Sequence, residues 1–126
     1  MPHFIVEYTD NLKEDINVEQ LLKDVHQILI ARNDTFPIGG IRSRAIELTN
    51  YRVADGLEDD AFVHATLKIA AGRSEEIKAE VCNTIFEVIK AHFDETMNKR
   101  YLALSMELVE FSDSGTYKQN NIHSRF

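Results

Sequence analysis

The apolar residues of this chain fall into one order twice over, and that doubling limits the folds open to it more than any other feature. Residues His3-Phe4-Ile5-Val6-Glu7-Tyr8 read as a strand. Beyond the polar stretch Thr9-Asp10-Asn11, Val18, Leu21, Leu22, Val25, Ile28 and Leu29 are spaced by three and four, which gathers them on one face of a helix. Asn33-Asp34 and Pro37 end that helix, Gly39-Gly40 punctuate the connection, and Ile41 to about Leu48 resumes as a strand. The same order recurs with a strand near Ala61–Ala70, a helix from about Glu75 to Met97 and a strand near Leu102–Glu110. In the second helix Ile77, Val81, Ile85, Val88, Ile89 and Phe93 lie on adjoining rows, with Ser74 placed to cap the first turn and Glu75 and Glu76 complementing the helix dipole.

Two strand–helix–strand crossovers predict an α/β (α+β) fold: a four-stranded sheet with both helices on one face, which their apolar stripes must cover. The boundaries are a first βαβ unit over about 3–50, a second over about 60–111, and a polar tail over 112–126 that reads as a loop or a short exchanged edge strand. The whole of 1–126 is expected to be one domain. Its opposite sheet face needs a cover, so an oligomer is expected.

Composition narrows the function classes. With 44% hydrophobic and 28% charged residues the chain suits a compact cytoplasmic domain. A net charge of −7 argues against a general nucleic-acid or anionic-membrane binder, because phosphate affinity needs a cationic surface. An anionic small substrate would need a local basic pocket. No signal peptide or membrane span is read. The single Cys82 has no internal disulfide partner and falls in a helical pattern, so it reads as a buried structural thiol in a reducing compartment.

Few residues carry distinctive chemistry. If Met1 is removed, Pro2 becomes a free secondary amine at the start of a strand, able to take and return a proton near neutral pH when its surroundings keep it unprotonated. Arg42 and Arg44 follow Gly39-Gly40-Ile41 and project to the same side of their strand, a pairing that can grip a carboxylate. Arg73 follows Ala71-Gly72 at the other strand-to-helix junction, where unpaired backbone N–H groups also favour anions. Taken singly each arginine reads as a solvated surface residue; arginines at glycine-punctuated junctions in both halves read as a site. His3, His26, His64, His92 and His123 show no metal-ligand spacing, so no metal is assigned, and no cofactor motif is present. Glu58-Asp59-Asp60 reads as a solvated loop. Ser43 has no base identifiable in sequence and is discounted as a nucleophile along with Cys82.

Together Met1-Pro2-His3-Phe4-Ile5-Val6-Glu7, the segment Phe36 to Arg44, the segment Phe62 to Ser74 and Tyr117 to His123 resemble the 5-carboxymethyl-2-hydroxymuconate isomerases, a family of the tautomerase superfamily. The resemblance runs nearly the full length. It implies a double βαβ fold, a homotrimer, a cofactor-independent proton transfer with Pro2 as base, Arg42 and Arg73 as substrate-binding residues, a small tricarboxylate substrate, and a place in homoprotocatechuate (4-hydroxyphenylacetate) degradation. It leaves Arg44 and Lys118-Gln119-Asn120-Asn121 without a role. Two other readings stand beside it: a tautomerase for a smaller 2-hydroxymuconate or a phenylpyruvate-type enol, and a non-enzymatic module that binds a small ligand, since a doubled βαβ order also describes ferredoxin-like and regulatory domains.

Overall fold

A computed structural model describes all 126 residues. Strand β1 (His3–Thr9) leads through a short 3-10 turn to helix α1 (Val18–Ile30), and β2 (Arg42–Leu48) closes the first unit. Strand β3 (Ala61–Ala70), helix α2 (Glu75–His92), a short helix α3 (Asp94–Lys99) and β4 (Leu102–Phe111) make the second. The sheet order is β2-β1-β3-β4: each unit pairs its own strands in parallel, and β1 meets β3 antiparallel at the centre. Both crossovers place their helices on one face, as the doubled order requires.

That face is the core. Phe4, Val6 and Tyr8 from β1 and Val63, Ala65, Leu67 and Ile69 from β3 alternate inward to meet Leu21, Val25 and Leu29 of α1 and Val81, Ile85 and Ile89 of α2. The four-residue spacing along each helix lines these side chains into one stripe. Asn17 starts α1 by accepting the Gln20 N–H at 3.1 Å, and Ser74 starts α2 by accepting the Ile77 N–H at 3.2 Å. The opposite sheet face carries His3, Ile5, Arg42, Arg44, Ile46, Thr66 and Lys68 and has no layer over it within the chain.

Four expectations are corrected or narrowed. The second long helix does not run unbroken to Met97: it ends at His92, and Phe93, at φ −105 and ψ 15, redirects the chain into α3. Phe93 is fully buried at this bend, and its N–H still reaches the Ile89 carbonyl at 3.2 Å, so an apolar anchor holds the kink. Residues 112–126 form no edge strand. They end in a 3-10 turn (Ile122–Arg125) lying on the Gly39-Gly40 junction. The acidic loop is not wholly solvated, because Asp59 accepts from Asn11 Nδ2 and from Arg100 Nη2, each at 3.0 Å, tying the loop to both units. Cys82 is half-buried rather than enclosed, and burial raises its thiol pKa.

Candidate active site

Strand pairing builds the site. Pro2 is buried immediately before β1, and its carbonyl accepts the Arg42 N–H at 3.0 Å, which fixes the start of β2 beside the start of β1. The register then sets His3 opposite Arg42 on one side and Lys68 on the other, while Arg44 lies opposite Ile5. Arg42 and Arg44 therefore share the open sheet face, as their period-two spacing predicts. Arg42 donates to the Gly40 carbonyl at 3.2 Å, and Arg44 Nη1 stands 3.2 Å from His3 Nδ1.

Over this end of the sheet is a cavity of about 450 Å³ lined by Met1, His3, Arg42, Arg44 and Lys68 together with Phe111 and residues 116–119 of the tail. No aspartate or glutamate lines it. In a chain of net charge −7, that is a concentrated reversal of sign.

Arg73 is held differently. Gly72 adopts φ +109, a conformation that favours glycine, and the turn aims Arg73 at the loop following α1. There Arg73 donates to the carbonyls of Ala70 and Thr35, each at 2.9 Å, and its guanidinium lies 5.0 Å from the Phe36 ring centroid. Arg73 does not line the cavity itself, yet its charge reaches the amino terminus. The Met1 amine is pushed below its ordinary pKa first by burial and then by the positive charges of Arg73, Lys118 and Arg42. The Pro2 nitrogen, one residue further in, is an amide while Met1 is attached. His3 is likewise held low by burial and by Arg44 and Arg42.

Pro2, Arg42 and Arg73, separated by up to 71 positions in sequence, thus converge on one end of the sheet. Sequence reasoning did not assign His3, Lys68 or Lys118 to the site. The alternation of β1 and β3 was a signal for the first two, since it puts both on the face of Arg42; Lys118 lies in an aperiodic tail that offered none. Ser43 does have a neighbouring imidazole, with His26 Nδ1 2.8 Å from its hydroxyl. That pair lies on the helix side of the sheet, away from the arginines, and no carboxylate is hydrogen-bonded to His26 to orient it as a base. No three His, Cys, Asp or Glu side chains converge in a way that would hold a metal ion. No helix is long and apolar enough to cross a membrane.

Comparison with known proteins bears on the same residues. The chain is 45% identical over 126 residues to the 5-carboxymethyl-2-hydroxymuconate Delta-isomerase of Escherichia coli, covering 100% of this chain and 99% of that one. A crystal structure of a 5-carboxymethyl-2-hydroxymuconate isomerase from Deinococcus radiodurans R1 is 50% identical and superposes with a TM-score of 0.95, covering 98% of this chain and 92% of that one. A fused 4-OT wild type symmetric trimer, 19% identical with a TM-score of 0.59 over 93% of each chain, shares the tautomerase fold alone. The family model described as 5-carboxymethyl-2-hydroxymuconate isomerase matches residues 2–126, beginning at the proline and taking in both arginine junctions and the tail. By these matches the chain belongs to the 5-carboxymethyl-2-hydroxymuconate isomerase family.

Proposed function

We propose that this protein isomerises 5-carboxymethyl-2-hydroxymuconate to its 2-oxo-3-ene isomer, with the Pro2 nitrogen, freed by removal of Met1, as the proton carrier. The substrate is a dienol bearing three carboxylates. The Pro2 nitrogen takes the proton of the 2-hydroxyl, the electron pair moves through the diene, and the same nitrogen returns a proton to C-5. One proton leaves oxygen and one arrives at carbon, so the reaction is redox-neutral and calls for no cofactor. Arg42 and Arg73 hold substrate carboxylates and stabilise the negative charge that spreads over the dienolate and its conjugated carboxylate.

The observation that carries this reading is the depressed basicity of the amino terminus. An α-amino group ordinarily titrates at about 7.7–8.0. At the Met1 amine burial and three surrounding cations lower it, and the same surroundings would act in the same direction on a Pro2 amine one residue further in, favouring the unprotonated form that a general base requires. The product fits a step in homoprotocatechuate degradation in the cytoplasm. We also assign the active form as a homotrimer, in which partner chains cover the open sheet face.

Ultraviolet-monitored ketonisation tests the activity. Acceleration well above the buffer rate is expected for the tricarboxylate dienol. Faster turnover of a dicarboxylate muconate or of phenylpyruvate enol would instead favour the smaller-substrate tautomerase, and no turnover of any of them would favour a ligand-binding module.

A further inference from the structure

Five cations near the amino terminus, Arg42, Arg44, Lys68, Arg73 and Lys118, make no ion pair with any carboxylate of the chain. Elsewhere the pattern is mixed: Arg32, Lys78, Lys90, Lys99 and Arg100 have acidic partners, whereas Lys13, Lys23, Arg52 and Arg125 have none. Unpaired cations that line or adjoin one acid-free cavity repel one another, and an anionic ligand removes that cost.

Lys118 differs from the other four in how it is placed. Arg42, Arg44 and Lys68 rise from strands, and Arg73 is engaged by backbone carbonyls on the far side of the junction. Lys118 comes from the tail, and the tail is fastened just beyond it. Asn120 Nδ2 donates to the Gly39 carbonyl at 2.9 Å and its Oδ1 accepts the Ile122 N–H at 2.7 Å. His123 packs so closely on Gly39 that a Cβ there would lie 2.7 Å from its ring nitrogen. The glycine pair that turns the chain into β2 is thus also the seat of the tail, and seating it brings Thr116, Tyr117, Lys118 and Gln119 to the cavity wall.

We infer that Lys118 is a specificity-determining residue that binds the third carboxylate of a tricarboxylate substrate, the group that a simple muconate lacks. The inference rests on the isomerase reading and deepens it. Arg42 and Arg73 are assigned to the carboxylates of the conjugated chain, and Arg44 stands against His3. Lys68 and Lys118 both line the cavity, exposed and without a hydrogen-bond partner in the chain. Lys68 rises from β3 in the sheet, whereas Lys118 comes from the tail at the cavity wall, where a branch reaching out of the cavity would meet it. The lowering of the amino-terminal pKa by Lys118 agrees with a position close enough for one ligand to span both.

The test uses Met1-free protein and reads binding separately from turnover. Tricarballylate is glutarate with one added carboxylate, so calorimetric affinities for the two report the third-carboxylate contact whether or not the protein is an isomerase. Wild type is expected to bind tricarballylate about tenfold or more tightly than glutarate, the size of one charge-assisted hydrogen bond. Lys118→Met should abolish that gap while leaving glutarate affinity within about twofold, and Lys118→Arg should restore it. In kinetics read on the pH plateau above the acid limb, where loss of the Lys118 charge no longer changes the fraction of free base, Lys118→Met should raise KM for the tricarboxylate dienol with kcat little changed, and leave KM for 2-hydroxymuconate as it was. A gap that survives in Lys118→Met, or is absent from wild type, overturns the assignment. Failure of wild type to accelerate ketonisation is a different result, which removes the isomerase reading and leaves the binding comparison still readable.

Discussion

At the scale of single residues the account turns on a proton. A terminal amine must be unprotonated to act as base, so kcat/KM should rise with pH through its pKa; burial and the cations that lower the Met1 amine would draw the acid limb of a Pro2 amine downward in the same way. Arg73 is the largest electrostatic cause of the depression at the Met1 amine, second to burial. Arg73→Ala should therefore move the limb to higher pH as well as raise KM, whereas Arg73→Lys should keep most of the shift; a pH–rate profile for each variant checks both. An unmoved limb in Arg73→Ala would disconnect the arginine from the base. Pro2, Arg42 and Arg73 stand out as candidates in sequence because each sits at a recognisable boundary: the start of a strand, or a glycine-marked junction. What sequence could not show is that Arg73 spends two donors on the Ala70 and Thr35 carbonyls, since that depends on where the loop after α1 comes to rest.

At the scale of elements, two junctions carry the site. Gly39 has no room for a side chain, because a Cβ would press on the backbone as well as the ring of His123. Gly39→Ala is expected to unseat the tail, which hydrogen exchange would show as faster exchange in residues 116–126 with the core strands unchanged. Ser74 caps α2 directly after Arg73. Ser74→Ala should cost about 1 kcal/mol in a denaturation midpoint, with m unchanged. Strands and helix faces were readable from periodicity, and the Ser74 cap from residue type. The break at Phe93 was not, because apolar residues on either side of it keep helical spacing while the bend is set by a ring entering the core. The tail escaped for the opposite reason, having no periodicity and being positioned by contacts with a glycine some 80 positions earlier.

At the scale of the whole molecule, the two faces of the sheet have different histories in the sequence. The helix-covered face was legible as two amphipathic stripes. The open face read only as a surface lacking a cover, and it keeps Ile46 43% exposed beside charged neighbours. A homotrimer should sediment at three times the 14.5 kDa chain mass, and Ile46→Asp, which puts a charge on that face, should shift the distribution toward monomer. A wild-type monomer at working concentration would contradict the assembly.

Acid stability is also a property of the whole chain. His92 Nε2 accepts the Asn17 N–H at 3.2 Å, and burial lowers its pKa against the opposing pull of Asp24; His26 is lowered by burial too. Between those depressed values and the ordinary value of about 6.5, the unfolded chain binds more protons than the native one, so stability rises with pH across that window and is lost on acidification through it. The melting temperature should fall from pH 7 toward pH 5, and His92→Gln should flatten that dependence.

The central claim, that the amino-terminal nitrogen is the base, is tested most directly by comparing ketonisation of 5-carboxymethyl-2-hydroxymuconate by two proteins of verified mass. One begins at Pro2; the other keeps one uncleaved residue before it, so that the nitrogen is an amide. Rapid conversion is expected of the first and a loss of about a hundredfold or more in the second, the contribution of a positioned general base. Equal turnover by both would contradict it.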